Sequence, residues 1–347
     1  MSAPAAAPDW ADLLARAIRG EDLDDAATSS AMAAIMAGDV PPVRVAALLV
    51  ALRAKGETAE EIAGLVSSMR RFALSVDAPA DAVDTCGTGG DRAGTFNVST
   101  VAAIVAAGAG ATVVKHGNRA ASGRCGSADL LEDWGVVIDL PPAGVQACLD
   151  EVGIGFCFAP TFHPAMRHVM PARRELGVPT VFNFLGPLTN PGGVTRQTIG
   201  VSDPAMAPKM ADVLARLGAR HALVFHGADG LDELTTTGPS TVWEVRDGHV
   251  ATWQLDPEQL GLPRAATQDL MGGGVSANRR IADAVLQGAP GAPRDIVVLG
   301  AGAALYTTDR VGTISDGMAA AAAAIDDGRA ASVRDRWVQA SQRQAAP

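Results

Sequence analysis

Along residues 9–76 apolar side chains recur at helical spacing, as in Trp10, Leu13, Leu14 and Ala17, and no strand-like run interrupts them. Pro41 and Pro42 precede VRVAALLVALRAKG, where a first helical turn accepts proline, and Gly56 ends that run. Thr58, followed three residues later by Glu61, predicts a capping box for a further helix reaching about Ser75. At residue 82 the pattern changes. AVDTCG, ATVVKHG, VVID, IGFCFAP, RQTIGVSD and HALVFHG are short apolar runs of the kind buried strands show. Helical stretches such as NVSTVAAIVAAGAG, SADLLEDWG, AGVQACLDEVG and PAMAPKMADVLARLG lie between them. This order predicts βαβ units and a parallel sheet. STVWEV and HVATWQL flank Asp247-Gly248, which predicts a hairpin. The remainder, to about residue 340, is Ala-rich and helical. PAMRHVMPARRELG is an amphipathic, basic helical stretch suited to packing back on the N-terminal helices. The expected fold class is α/β. A small all-helical N-terminal domain covers 1–78, joined by helices from 164–190. A larger α/β domain with a mainly parallel central sheet covers 79–163 and 191–345.

Composition narrows the function. The 347 residues suffice for about two domains without disulfide or metal staples. Basic residues number 28 against 38 acidic ones, a net charge of −10. A nucleic-acid-binding protein usually carries a basic field, so nucleic acid is a poor partner here. Four cysteines without a C-x-x-C pair suggest neither a disulfide framework nor a zinc ribbon, and fit a reduced cytoplasmic setting. The N-terminus does not read as a signal peptide, and no run of about 18 apolar residues marks a membrane span. Gly is enriched, at 38 residues, and clusters in loops.

Four segments carry chemistry. Asp84-Thr85-Cys86-Gly87-Thr88-Gly89-Gly90-Asp91, continuing to Thr95, Asn97, Ser99 and Thr100, places glycines before a helix. Such a loop lets backbone N–H groups reach a polyanion at a helix start, though a tight strand–helix turn has the same look. It is neither a Walker A nor a dinucleotide fingerprint. Asp91 makes more sense if a metal accompanies the phosphate. Lys115-His116-Gly117-Asn118-Arg119 ends the next strand, where α/β ligands bind, with Ser122, Arg124 and the candidate helix cap Ser127 following. His163 through Arg173-Arg174 offers guanidinium groups to a carboxylate or phosphate. His226-Gly227-Ala228-Asp229-Gly230-Leu231-Asp232-Glu233-Leu234 follows a strand and suits Mg²⁺, which prefers few carboxylates plus substrate phosphates.

In order, GTGGD–TFNVST, KHGNR, RCGSAD, HPAMRHVMPARRELGVPTVFNFLGPLTNP and HGADGLDEL closely resemble the anthranilate phosphoribosyltransferases over roughly residues 80–240. GTGGD and KHGNR alone are shared with pyrimidine nucleoside phosphorylases, whose fold is similar. The resemblance implies transfer of the phosphoribosyl group of phosphoribosyl pyrophosphate to the amino nitrogen of anthranilate, in tryptophan synthesis. It implies that Gly87, Thr88, Gly89, Gly90, Asp91, Thr95, Asn97, Ser99, Thr100, Lys115, Asn118 and Ser127 bind phosphoribosyl pyrophosphate. Gly87, His116, Asn118, His163 and Arg173 would bind anthranilate. Ser99, Asp232 and Glu233 would hold Mg²⁺ as two ions. A cytoplasmic homodimer joined through the helical domain is implied. Cys125, Gly274 and Gly300 depart from the family pattern, the last two away from the site by this reading.

The neutral amine of anthranilate needs no strong base. Catalysis is expected from alignment and from neutralising the leaving group, with Lys115, Asn118 and Arg173 positioning and no single general base. Two other readings are a pyrimidine nucleoside phosphorylase and a non-catalytic nucleic-acid-binding relative of the same fold.

Overall fold

The computed structural model describes residues 8–120 and 124–345, so Ser122 lies outside the described residues. Four helices come first: α1 (Trp10–Ile18), α2 (Asp25–Ala37), α3 (Pro42–Lys55) and α4 (Ala59–Phe72). Pro42 opens α3, and Gly56 ends it with φ 89°. The predicted capping box forms: Glu61 N–H donates to Thr58 Oγ1 at 3.2 Å, and Thr58 N–H to Glu61 Oε2 at 2.8 Å.

The chain then winds through β1 (Val83–Gly87), α5 (Val98–Gly108), β2 (Val113–Gly117), α6 (Ser127–Trp134), α7 (Pro142–Val152) and β3 (Ile154–Phe158). A short α8 (Ala159–Phe162), α9 (Met170–Leu176) and α10 (Phe182–Leu188) follow. Next come β4 (Arg196–Gly200), α11 (Ala207–Arg216), β5 (His221–Gly227), β6 (Ser240–Arg246) and β7 (His249–Leu255). Four helices close the chain: α12 (Val275–Leu286), α13 (Ala292–Thr307), α14 (Ile314–Asp326) and α15 (Arg329–Ala345).

The sheet order is β3-β2-β1-β4-β5-β6-β7. β1 to β5 are parallel; β6 and β7 add an antiparallel hairpin. Asp247 and Gly248 turn that hairpin with φ of 46° and 82°, the left-handed pair that a two-residue turn needs. Winding reverses between β1 and β4. The crevice beyond their carboxyl ends is where open α/β sheets bind ligands.

Side chains alternate across the sheet and feed two cores. Leu223 and Phe225 of β5 join α5, α13 and α15 on one face. Ala222 and Val224 join α4, α10 and α11 on the other, continuous with the N-terminal helices. α5 is buried along its whole length, which explains its apolar character all round.

Two expectations are corrected. Residues 136–139 form no strand; the Val137 amide donates to Ser341 Oγ of α15 instead of to a neighbouring strand. The 164–177 stretch is not one helix but a 3-10 turn, Pro164–His168, followed by α9, with Pro171 in the first turn of α9.

Candidate active site

β1 and β4 both end in glycine, and Gly87 pairs with Gly200 in the register. Asp232 packs across both. A β-carbon at Gly87 would strike its carboxylate, and one at Gly200 would strike its backbone carbonyl. Asp232 Oδ2 accepts the Gly89 N–H at 2.7 Å, and Glu233 Oε1 accepts the Ser99 N–H at 3.2 Å. The glycine loop and the acidic loop, far apart in sequence, therefore meet over the crevice. Burial, then the nearby Asp91, pushes Asp232 up to about 7. Burial and Asp232 push Glu233 well above the carboxylate range, with Lys115 opposing. Asp229 does not join them: it accepts from Thr235 Oγ1 at 2.7 Å, from Thr237 and from the Leu231 amide, and so shapes its own loop.

Lys115 is buried, and its Nζ donates to the Thr85 carbonyl at 2.6 Å. Burial lowers its affinity for the proton, while Asp84 and Glu233 pull the other way. Asp84 lies fully buried below it. Its carboxylate accepts from the His116 amide at 3.2 Å and from Asn190 Nδ2 at 2.8 Å. Asn190 Nδ2 also donates to the Val114 carbonyl at 2.7 Å. Asp84 and Asn190 thus fix the carboxyl end of β2, and sequence reading assigned neither a role. The available signals were a carboxylate inside an apolar strand and the Asn of LGPLTNP. Ser202 was missed as well. Its Oγ donates to the Gly89 carbonyl at 2.8 Å, and its amide to Thr88 Oγ1 at 3.1 Å.

The glycine loop turns through left-handed residues Gly89, Gly90, Arg92 and Gly94 and ends at α5. Asp91 Oδ1 accepts the Ala93 N–H at 3.1 Å. Thr95 forms an isolated antiparallel bridge with Met271. Asn97 Nδ2 donates to the Cys125 carbonyl at 3.0 Å, and Thr100 N–H to the Asn97 carbonyl at 3.2 Å. Cys125 thus acts here through its backbone, and burial pushes its thiol up to about 11. Ser127 is not the helix cap. Gly126 takes that position, Asp129 accepts its amide at 2.8 Å, and Ser127 Oγ donates to the Asn118 carbonyl at 3.2 Å. Gly274 is also corrected: it lies in a segment paired with residues 94–97, not away from the site. Gly300 does lie apart, against Ala102 in the α13–α5 packing.

The rings of His116 and His163 meet tilted at 50°, with centroids 5.0 Å apart. His116 Nδ1 lies 3.0 Å from the Gly186 carbonyl, which only accepts, so the proton sits on Nδ1. Nε2 of each ring is buried without a partner among the described residues. Burial lowers His116 to about 3 and His163 to about 4, so both rings are neutral at pH 7. Arg173 lies half-buried with its guanidinium 5.6 Å from the ring of Phe182 on α10, and makes no ion pair among the described residues. Gly186, Thr189 and Asn190 hold His116, His163 and Asp84 respectively, which explains the value of the LGPLTNP run.

The depressed histidines predict a pH dependence. Their contribution to stability is fully present above the unfolded value of about 6.5 and is lost as pH falls towards the folded values. Urea unfolding should therefore show stability falling from pH 6.5 to 4.5, by at most about 1.4 kcal/mol per histidine per pH unit. The His116→Asn, His163→Asn variant should flatten the slope; an equal slope would reject the assignment.

A glycine loop facing a buried acidic pair at the switch point of a parallel sheet, beside a helical bundle, defines a transferase that handles phosphates. The family model described as glycosyl transferase family, helical bundle domain, matches residues 11–73, and the a/b domain model matches 79–331. An anthranilate phosphoribosyltransferase of Arthrobacter sp. is 51% identical over 343 residues, 97% of each chain. The crystal structure of the Thermus thermophilus anthranilate phosphoribosyltransferase superposes with a TM-score of 0.91 at 45% identity, covering 95% of this chain and 99% of that one. The Saccharomyces cerevisiae enzyme in complex with PRPP and Mg gives 0.86 at 29% identity, covering 96% and 98%. The chain belongs to the anthranilate phosphoribosyltransferases, and it is a glycosyltransferase of that activity.

Proposed function

We propose that this crevice moves the 5-phosphoribosyl group of phosphoribosyl pyrophosphate to the amino group of anthranilate, releasing N-(5-phosphoribosyl)anthranilate and pyrophosphate in tryptophan biosynthesis. The carrying observation is the meeting of Asp232 and Glu233 with the Gly89 and Ser99 amides. The open glycine loop before α5 and the positive end of the α5 dipole suit the diphosphate. Gly87, Thr88, Gly90, Asp91, Thr95, Asn97, Thr100, Lys115, Asn118 and Ser127 complete the donor site.

Asp232, pushed up by burial and Asp91, and Glu233, pushed up by burial and Asp232, ionise at a cost that a cation relieves, so the residues fit Mg²⁺. Ser99, Asp232 and Glu233 would hold it as two ions. When bound, the metal neutralises charge on the departing pyrophosphate. No three His, Cys, Asp or Glu side chains form a metal-sized group among the described residues, which suits a cation that also uses substrate phosphates and water.

Anthranilate would lie against Gly87, His116, Asn118, His163 and Arg173. The Arg173 guanidinium meets its carboxylate. The free Nε2 atoms of His116 and His163 accept hydrogens of the arylamine. Rings with proton affinities this low accept a hydrogen bond without taking the proton, so the amine keeps its lone pair for the attack; once the C–N bond has formed, the proton the nitrogen sheds passes to the departing pyrophosphate, and no side chain acts as a strong base. Alignment and neutralisation of the leaving group together supply the acceleration.

Two coarser features join this reading. α9 and α10 share a core with α1–α4, which supports joining 164–190 to 1–78 as one body; the same core runs on into α11 and one face of β4 and β5, where the second body, 79–163 with 191–345, meets it. Ile18, Val43 and Val178 are 75%, 77% and 57% exposed on the helical body, and a homodimer would cover them. No helix among the described residues is long and apolar enough to cross a membrane, and we place the enzyme in the cytoplasm.

Loss of anthranilate fluorescence with phosphoribosyl pyrophosphate, with and without Mg²⁺, tests the reaction. No loss in the complete mixture would reject it. Arg173→Ala should raise KM for anthranilate roughly 10- to 100-fold, the worth of a charged hydrogen bond. KM for phosphoribosyl pyrophosphate should stay near wild type, and equal rises would remove Arg173 from the acceptor site.

A further inference from the structure

The segment leading into α12 is clamped to the end of the glycine loop. Phe96 N–H donates to the Leu270 carbonyl at 3.1 Å, Gly272 N–H to the Gly94 carbonyl at 2.9 Å, and Thr95 bridges Met271 between them. Asn278, one turn into α12 and 1% exposed, closes this contact. Its Oδ1 accepts the Asn97 N–H at 3.1 Å. Its Nδ2 donates to the Gly273 and Gly274 carbonyls at 2.9 and 3.1 Å. Gly272 permits the approach: a β-carbon there would lie 2.8 Å from Phe96 Cα and 2.9 Å from Asn278 Oδ1.

This arrangement decides what Asn97 shows to a ligand. Its amide is occupied by Asn278 and its Nδ2 by the Cys125 carbonyl. Oδ1, buried and without a partner among the described residues, and the second Nδ2 hydrogen are left. We propose that Asn278 is a positioning residue for the phosphoribosyl donor: it holds the backbone of Asn97, and with it the first turn of α5, in the donor-binding arrangement. The inference rests on the donor-site reading above. Asn278 need not touch the donor. A rigid tether at this point keeps the glycine loop and the first turn of α5 from reorganising when the polyanion arrives, which is how a preorganised site gains affinity.

The test begins with Asn278→Ala. KM for phosphoribosyl pyrophosphate should rise about tenfold, the worth of a lost buried hydrogen bond and a loosened loop, with KM for anthranilate unchanged. Asn278→Asp keeps an acceptor for the Asn97 amide but sets its other oxygen against the Gly273 and Gly274 carbonyls, so it should recover only part of the rise; it also serves if the alanine variant does not fold. Leu286→Ala, a core truncation on the same helix, should lower the melting temperature without moving either KM. Amide hydrogen exchange on the free protein supplies a readout independent of turnover. Exchange across 94–99 should quicken about tenfold or more in Asn278→Ala, while 83–87 keeps its protection. Unchanged exchange at 94–99, or equal rises in both KM values, would overturn the proposal. A wild-type protein without turnover would instead remove the functional reading and leave the exchange result to judge the tether.

Discussion

Replacing Asp232 by Asn and Glu233 by Gln together is expected to lower kcat/KM about a thousandfold while raising the melting temperature of the free protein. The choice of amides matters. Each keeps an oxygen to accept the Gly89 and Ser99 N–H groups, so the loops stay joined. What is lost is charge. Both carboxyls are pushed above the ordinary carboxylate range, chiefly by burial. Their ionised forms are therefore disfavoured in the fold relative to the unfolded chain, and at pH 7 that difference weakens the native state. Neutral isosteres remove the penalty, so stability rises. The same change removes the negative charge that would hold a divalent cation. Mg²⁺ should raise the melting temperature of the wild-type protein by binding the native state, and should leave the double variant unmoved. Thermal scans with and without Mg²⁺, beside the fluorescence assay, separate the two effects. A variant that lost stability, or that still responded to Mg²⁺ as the wild type does, would contradict the assignment.

What was legible in the sequence was whatever is encoded locally. The capping box at Thr58 and Glu61 needs only three residues' spacing. The hairpin at Asp247-Gly248 needs only two residues that tolerate left-handed backbone. The glycine loop and the acidic run announce themselves by composition, and the family resemblance joined them. What stayed hidden depends on partners distant in sequence. Asn190 meets Asp84 across 106 residues, and Asn278 meets Asn97 across 181. No local signal links either pair. VVID looked like a strand because apolar runs do not reveal where the backbone amides go, and the Val137 amide goes to Ser341 of α15 rather than to a strand. Ser127 looked like a cap because Ser favours that position, yet glycine one residue earlier takes it while Asp129 supplies the acceptor. The helix around 164–177 was overread for a related reason: amphipathic spacing survives a break between two short helices.

Gly200 is the most demanding of the hidden positions, and Gly200→Ala is expected to damage both stability and catalysis. Its φ is not left-handed, so the requirement is for space and not for backbone freedom. The space is taken by Asp232, whose carbonyl, carbonyl carbon and Cα all crowd the place a β-carbon would occupy. Those are main-chain atoms, so no rotamer change relieves the overlap, and the acidic loop itself has to move. Overpacking of this kind usually weakens a protein by about 1–3 kcal/mol. A loop displaced by about 1 Å should lose roughly a hundredfold in kcat/KM. Gly87→Ala provides the contrast on the paired strand. There the added methyl meets chiefly the Asp232 carboxylate, which can rotate away. Rotation breaks the bond to Gly89, so activity should fall with little loss of stability. Urea denaturation and steady-state kinetics on the two variants should therefore diverge in stability and agree in lost turnover. Gly200→Ala with wild-type activity would mean that Asp232 does not need its observed place. That result would also undo the argument for the acidic pair, because both rest on the same backbone.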